Sequence, residues 1–564
     1  MKFKEFKYER PSYEQVKSEL VVLIESIKVA DSAVTQLALV DQVNEIRNTL
    51  STMSNVASIR HTIDTTDTFY EKEQDYWDEY SPLYEELSSM FYKVLVDSPY
   101  KKELEEKLSA QFFNIAKFSL KSFSQEIIED LQEENRLASK YTKLLASAKI
   151  MFDGEERNLS GLGKYVLSED RDVRASASSA KYNFFETHEE EIDTIYDELV
   201  KVRTRMAKKL GYNNFVELGY VRMMRSDYNP EMVKNFRKQV REYIVPVATS
   251  LYERQTNRLN LEELRYYDEK FEFTSGNATP KGDPDWIIEN GIKMYDELSK
   301  ETSEFFHFMV DNELLDLVTK KGKAGGGYCT YIPDYKSPFI FSNFNGTSGD
   351  IDVLTHEAGH AFQCYESRWI TSPELNFPTY ESAEIHSMSM EFFTWPWMEL
   401  FFKEDTMKYK YEHLGSAIKF IPYGITVDAF QHFVYYNPEL TPAERKFGWR
   451  ELERQYLPHK NYDDCDFLER GGWWFQQGHI FSSPFYYIDY TLAQICALQF
   501  WKRMHDNKQE AWDDYVRLCK AGGTKSFLDL VDYANLKSPF EDGCISSIIS
   551  EIKTWLESVE DTKL

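Results

Sequence analysis

The sequence predicts a mainly α-helical fold with one small β-sheet. Along much of the 564-residue chain, apolar side chains recur at steps of three or four, the spacing of an amphipathic helix. The clearest exception is residues 328–345, whose aromatic and β-branched side chains are typical of short strands. No unit of about 20–50 residues repeats, which excludes solenoids and propellers.

Composition excludes several functional classes. The chain carries 94 acidic and 66 basic residues, so its net charge of −28 would repel a phosphate backbone or an anionic membrane. Its six cysteines form no CxxC pair, which indicates a reducing compartment. The N-terminus does not resemble a signal peptide, and the most apolar window, residues 392–402, is too short to cross a bilayer. We therefore expect a cytoplasmic protein that binds neither nucleic acid nor membranes.

The first 150 residues predict a helical scaffold or lid. A helix is predicted from about Lys101 to Arg136, because apolar residues share one face there: Leu104, Leu108, Phe112, Ile115 and Phe118. Glycines and charged residues between Asp153 and Arg174 predict a boundary. It divides the chain into an N-terminal helical domain, residues 1–165, and a second domain, residues 166–564.

Residues 328–345 predict a short strand, a turn and a second strand, FIFSNF. Pro333 and Pro338 lack backbone donors, which favours an edge position in the sheet. The preceding glycines, residues 325–327, are not followed by the GK[ST] of a phosphate-binding loop. They fit a plain turn or the close approach of a ligand backbone.

Residues 356–360 contain an HExxH motif. On a helix, His356 and His360 lie one turn apart on the same face, where both imidazoles reach one Zn²⁺. Glu357 points partly aside and reaches a metal-bound water without being a ligand. With 11 histidines in 564 residues, chance gives roughly 0.02 such motifs per chain, so the motif predicts a zinc site.

A carboxylate is expected as the third zinc ligand. Two histidines leave tetrahedral zinc one protein ligand short when water takes the fourth position. A second helix is predicted after Pro378, and its acidic residues recur at helical spacing among aromatic neighbours. We favour Glu384 as the ligand, with Glu381, His386 and Glu391 as substitutes or as supports for the ligands.

Three segments, HEAGHAFQ, TYESAEIHSMSMEFFTWPWM and HIFSSPFYYIDYTLAQ, resemble the oligoendopeptidase F family of zinc metallopeptidases, which are relatives of thimet oligopeptidase and neurolysin. The resemblance extends over most of the chain, from YERP near the start to LKSPFEDGC near the end. It implies a two-lobed helical body around a deep channel, with the N-terminal domain forming part of the wall and one Zn²⁺ per chain on the floor. It implies endopeptidase action on oligopeptides, because folded proteins would not enter such a channel. A Pz-peptidase-like branch cleaves collagen-derived peptides, so Pro- and Gly-containing peptides are expected among the substrates.

The resemblance also assigns site residues. The zinc ligands are His356, His360 and Glu384. Glu357 is the catalytic carboxylate, and the residues that hold the scissile carbonyl are His479, Tyr487 and Tyr490, with Tyr486 as the rival of Tyr487. The loop departs from the glycine-rich loop of thimet oligopeptidase and neurolysin, because Pro484 and Phe485 stand here. An aromatic core segment is the alternative interpretation of these tyrosines.

The expected mechanism uses Glu357 as general base toward the zinc-bound water. Neutral tyrosine hydroxyls and His479 then donate hydrogen bonds to the oxyanion. The strand from Phe339 to Phe344 is expected to pair with an extended peptide and to align it over the metal.

Two alternatives stay open. A zinc carboxypeptidase or dipeptidyl carboxypeptidase needs a cation for the free C-terminal carboxylate, and Arg368, Arg470 and Lys336 stand near the motifs. A non-enzymatic helical protein with structural zinc needs a fourth protein ligand, for which Cys364 is the nearest thiol. The oligomeric state also stays open.

Overall fold

Twenty-four α-helices and five short β-strands form the chain, which a computed structural model describes over residues 1–564. The predicted mainly helical fold is confirmed. None of the helices is both long and apolar enough to cross a membrane.

The N-terminal helices enclose a small core of their own, and 15 buried residues form a cluster that includes Ile370 and Leu375 from the later chain. These helices are α1 (Tyr13–Val29), α2 (Ala33–Ile63), α3 (Thr68–Val96), α4 (Lys101–Leu108) and α5 (Ala110–Ser122). The next helix, α6 (Ile128–Ala146), contributes its buried apolar residues to the main core instead. The prediction of one helix from Lys101 to Arg136 is wrong. Ser109 adopts φ +82° between α4 and α5 and accepts a hydrogen bond from the Phe112 amide, so it ends one helix and caps the next.

A hairpin follows, formed by β1 (Ile150–Phe152) and β2 (Glu155–Arg157). Asp153 and Gly154 both have positive φ, as a two-residue hairpin turn requires. The chain therefore has two small sheets, whereas the sequence predicted one. The domain division after residue 165 stays a prediction.

Seven helices connect the hairpin to the second sheet. They are α7 (Arg171–Thr187), α8 (Glu189–Lys209), α9 (Phe215–Arg222), α10 (Pro230–Gln239), α11 (Val245–Arg258), α12 (Pro284–Leu298) and α13 (Lys300–Asp311). One turn of π-helix, Val240–Ile244, joins α10 to α11.

The second sheet contains β3 (Leu315–Val318), β4 (Tyr328–Ile332) and β5 (Ser337–Phe344) in the order β3-β5-β4. β5, which contains FIFSNF, is the central strand, so its predicted edge position is wrong. The Ile340 amide donates to the Leu314 carbonyl on the β3 side. Because backbone groups alternate along a strand, the nitrogen of Pro338 also faces the β3 side, and the proline removes no hydrogen bond to β4. The two edge strands of the sheet are β3 and β4.

The remaining helices build the main core. They are α14 (Gly349–Glu366), α15 (Pro373–Asn376), α16 (Tyr380–Phe393), α17 (Glu399–Phe402), α18 (Thr406–Tyr436), α19 (Pro442–Tyr456), α20 (Asp466–Glu469), α21 (Gly478–Ser482), α22 (Tyr487–Ala521), α23 (Phe527–Tyr533) and α24 (Cys544–Ser558). α14 and α16 pack backbone to backbone at Gly359, where a Cβ would lie 2.6 Å from the His386 carbonyl oxygen. This contact brings together the two helices that carry the predicted ligands.

Candidate metal centre and active site

Two helices bring the three predicted ligands to one point. His356 and His360 lie one turn apart on α14, and Glu384 faces them from α16. The Nε2 atoms of the two histidines lie 3.2 and 3.4 Å from the same oxygen, Oε2 of Glu384. No other set of three or more His, Cys, Asp or Glu side chains in the chain converges in this way.

The electrostatics of this group favour a bound cation. Burial disfavours a charged imidazole, yet hydrogen bonds to Glu384 and Glu391 raise the pKa of His356 well above its ordinary value. Burial also opposes ionisation of Glu384, but the two histidines hold the pKa of this carboxyl well below its usual range. Two imidazole nitrogens and one carboxylate oxygen are a donor set that Zn²⁺ prefers, so the residues present fit the metal that the motif predicts.

A buried acidic residue orients His356 from behind. Oε1 of Glu391 lies 2.7 Å from Nδ1 of His356, so this nitrogen carries the proton and Nε2 is left for the centre. Oε2 of Glu391 accepts from Nε2 of His413 at 2.8 Å. The indole of Trp395 donates to Nδ1 of His413 at 3.2 Å, which fixes that tautomer. Glu391 therefore lies behind His356 and outside the converging group. No local sequence pattern pointed to His413, because it comes from a different helix, α18.

Glu357 is buried beside the three converging side chains without joining them. Burial raises the pKa of its carboxyl. A Cβ on Gly327 would lie 3.5 Å from Oε1 of Glu357 and 3.2 Å from Val353. The glycine run is therefore part of the site wall, and Gly327 allows the start of β4 to lie against this carboxyl.

The opposite wall carries His479 on α21 and the tyrosines at the start of α22. The side-chain amide of Gln477 donates to Nδ1 of His479 at 2.8 Å, so the ring proton resides on Nε2. Burial lowers the pKa of His479, which keeps the ring neutral and makes Nε2–H a donor. The hydroxyl of Tyr490 lies 3.5 Å from this Nε2.

The two adjacent tyrosines occupy different positions. The hydroxyl of Tyr486 donates to Oε1 of Glu384 at 2.7 Å, beside the predicted ligands. The ring of Tyr487 packs against His479 and Phe420, with centroid distances of 5.1 and 5.8 Å. Burial raises the pKa of both tyrosines, so both hydroxyls are protonated donors. The structure therefore places Tyr486 closer to the predicted metal ligands than Tyr487.

The remaining substitute ligands lie outside the converging group. His386 is fully buried, and neither of its ring nitrogens has a hydrogen-bond partner. Both carboxyl oxygens of Glu381 are likewise buried without partners, and burial raises the pKa of this carboxyl well above its ordinary value. Cys364 is a buried thiol that is not among the three converging residues.

The strand that borders the site is β4, and the expectation that Phe339–Phe344 pairs with a peptide is wrong, because β5 is already paired on both sides. Ile340 points its backbone groups toward β3, so its partner Cys329 points its own N–H and C=O toward the free edge. Tyr331 has the same orientation, and its carbonyl accepts from the side chain of Asn55 at 2.7 Å. One short segment of open strand edge therefore lies next to Glu357.

Comparisons with known proteins agree with this arrangement. Residues 3–123 match the model of the peptidase M3 N-terminal domain, and residues 165–549 match that of peptidase family M3. The chain is similar to the solved structure of Pz peptidase A with inhibitor 2, at 59% identity and a TM-score of 0.98 over 100% of both chains. It is 24% identical to the oligoendopeptidase F homolog of Borreliella burgdorferi, over 76% of this chain and 74% of that protein. Oligoendopeptidase-F from Enterococcus faecium shares the fold, with a TM-score of 0.64 at 16% identity over 98% of both chains.

Proposed function

This chain belongs to peptidase family M3, and from that premise we propose that it is a zinc-dependent endopeptidase that hydrolyses internal bonds of oligopeptides. One observation carries the proposal: His356, His360 and Glu384 converge, with the buried carboxyl of Glu357 beside them and an open strand edge alongside. A peptide substrate, a hydrolytic metal and a base all fit this one place.

The three converging side chains would hold the zinc. When bound, zinc would lower the pKa of a coordinated water and polarise the scissile carbonyl. Glu391 keeps His356 in the tautomer that leaves Nε2 available. Cys364 is outside the ligand group, so the site keeps an open position, as a catalytic zinc site requires.

Glu357 would act as general base and then as general acid. Its carboxyl is buried at the start of β4, where it accepts a proton from the attacking water and passes it to the leaving amine. The raised pKa of Glu357 supports its role as a base, because a carboxylate of higher pKa accepts a proton more readily. The leaving amine is more basic than the carboxylate, so it takes this proton in turn.

His479 and the tyrosines would stabilise the developing oxyanion. Nε2–H of His479 and the hydroxyl of Tyr490 lie on the wall opposite Glu357, and the hydroxyl of Tyr486 already donates to Glu384. Each donor of this kind contributes about 3–4 kcal/mol to transition-state stabilisation. We propose His479 and Tyr490 as donors, with Tyr486 favoured over Tyr487 because of its position.

An extended peptide would pair with β4. The N–H and C=O of Cys329 are free for a main-chain ladder, whereas the carbonyl of Tyr331 is occupied by Asn55. Endopeptidase action needs no anchor for a free C-terminus, and Arg470, one of the three possible anchors, is ion-paired with Glu186 and Glu189. We also propose that Pro- and Gly-containing peptides are accepted, since this chain is similar to Pz peptidase A over its whole length.

The replacement Glu357→Gln tests the proposal. The variant should keep about one zinc per chain by atomic absorption and should lose nearly all cleavage of a quenched fluorescent oligopeptide. Glu404→Gln, a change on an exposed side chain, is the matched control. Substantial turnover by Glu357→Gln would remove the assigned base, and loss of cleavage when the peptide C-terminus is amidated would favour a carboxypeptidase.

A further inference from the structure

We propose that a cleft at the far end of β4 binds a carboxylate of the substrate peptide through Arg368 and Lys336. The inference rests on the proposed endopeptidase function and names a substrate class for it. This class is peptides with an acidic group a few residues from the scissile bond.

The cleft continues from the metal centre. It has a volume of about 290 Å³ and lies between α2, β4 and the segment from the end of α14 through α15. Cys329 and Phe377 line its inner end, and the ring of Phe377 lies 6.2 Å from the ring of His360. A peptide that pairs with the free edge at Cys329 therefore extends into this cleft.

Two cations that form no salt bridge line the cleft. Glu366 lies within electrostatic reach of Arg368 but is paired with Lys520. Arg368 is half-buried, its guanidinium lies 3.4 Å from the centroid of the Tyr365 ring, and Nη1 donates to the Tyr365 carbonyl at 2.5 Å. Lys336 lines the same cleft on the turn before β5. Neither forms a salt bridge, although the chain has 94 acidic residues. Unpaired cations that share a cleft suit an anionic ligand, and arginine suits a carboxylate.

The direction of β4 decides which carboxylate enters. β4 begins beside Glu357 and runs away from it toward Ile332. A peptide antiparallel to β4 places its residues N-terminal to the scissile bond in the cleft, so the carboxylate is an acidic side chain. A parallel peptide places its C-terminal part there, and the carboxylate is then a side chain or the free terminus.

The experiment compares kcat/KM for quenched fluorescent peptides on the zinc-loaded enzyme. One arm exchanges Glu for Gln at single positions two to four residues on either side of the cleaved bond. A second arm exchanges the free C-terminus for an amide. We expect the carboxylate form to be preferred about ten-fold in one arm, through KM, because the contact is charge-assisted but partly open to solvent.

Variants of the two cations test whether the cleft causes the preference for the carboxylate form of the peptide. Arg368→Gln should bring the Glu/Gln ratio close to one, Arg368→Glu should invert it in favour of a Lys peptide, and Lys336→Gln should reduce it. Lys102→Gln removes one exposed charge on α4 and should leave the wild-type ratio. Thermal unfolding checks that the Arg368 variants stay folded.

Two outcomes overturn the inference: wild-type ratios near one in both arms, or ratios that folded Arg368 variants leave unchanged. Absence of any peptide cleavage by the wild-type enzyme would count instead against the proposed function. Cleavage without a charge preference would remove the carboxylate cleft alone.

Discussion

Replacing Gly359 with alanine perturbs the metal centre without touching a predicted ligand. Gly359 precedes His360 on α14, and a Cβ there would lie 2.6 Å from the carbonyl oxygen of His386 and 2.6 Å from Cα of Ser387. Optimal contacts between such atoms are about 3.5 Å. Because both obstructing atoms are backbone, the contact can relax only if α14 and α16 separate by roughly 1 Å.

The expected loss is larger for activity than for stability. Overpacking costs about 1–3 kcal/mol, and alanine regains up to about 1 kcal/mol of helix propensity, so the net destabilisation is roughly 0–2 kcal/mol. The same separation moves Glu384 on α16 away from both histidines on α14. A misplacement of about 1 Å costs about 100-fold in rate, and metal affinity should fall with it.

The measurements are kcat/KM on an oligopeptide, zinc affinity by competition with a chelator, and unfolding by urea. Gly415→Ala is the matched control. Gly415 lies within α18, and a Cβ there would meet only the side chain of Leu251, at 4.0 Å. This variant should keep full activity and gain up to about 1 kcal/mol. Wild-type zinc affinity and turnover in Gly359→Ala, or equal losses in Gly415→Ala, would refute the idea that this contact sets the ligand geometry.

Three further outcomes are expected. Whichever of Tyr486→Phe and Tyr490→Phe removes an oxyanion donor should lower kcat about 100- to 1000-fold with little change in KM, and a variant that loses less than about three-fold is not such a donor. Glu391→Gln should weaken zinc binding about 10- to 100-fold in chelator competition, and unchanged affinity would exclude its orienting role. Burial opposes ionisation of Glu134, yet two neighbouring arginines hold the pKa of this carboxyl below its ordinary value. The ionised Glu134 carboxylate therefore stabilises the fold fully above pH about 4.3, and this stabilisation is lost as pH falls toward the folded-state pKa. Glu134→Gln should lower the free energy of unfolding by about 3–5 kcal/mol at pH 7 and by less near pH 3. Equal losses in urea unfolding at both pH values would contradict this.

The sequence predicts best what depends on spacing within one element. The helical positions of His356 and His360 follow from a separation of four residues, and the helix after Pro378 presents Glu384 to them. Their roles as ligands stay a prediction, although the structure brings the side chains together. The break at Ser109 is harder to predict, because apolar spacing continues on both sides of it.

Relations between distant elements could not be predicted. FIFSNF takes the central position because β3 pairs with it, and no local pattern shows which strands become neighbours. His413 supports Glu391 from a different helix and belongs to no motif. The choice between Tyr486 and Tyr487 depends on the rotational phase with which α22 begins, which a run of two tyrosines does not reveal.

The hydrogen bond that Asn55 donates to the Tyr331 carbonyl joins α2 to the end of β4. If a peptide pairs with β4 as proposed, its main-chain ladder would end at that carbonyl, and its contact with the sheet would be only a few residues long. The N-terminal helices would then limit, through a single side chain, how far a substrate extends along the strand.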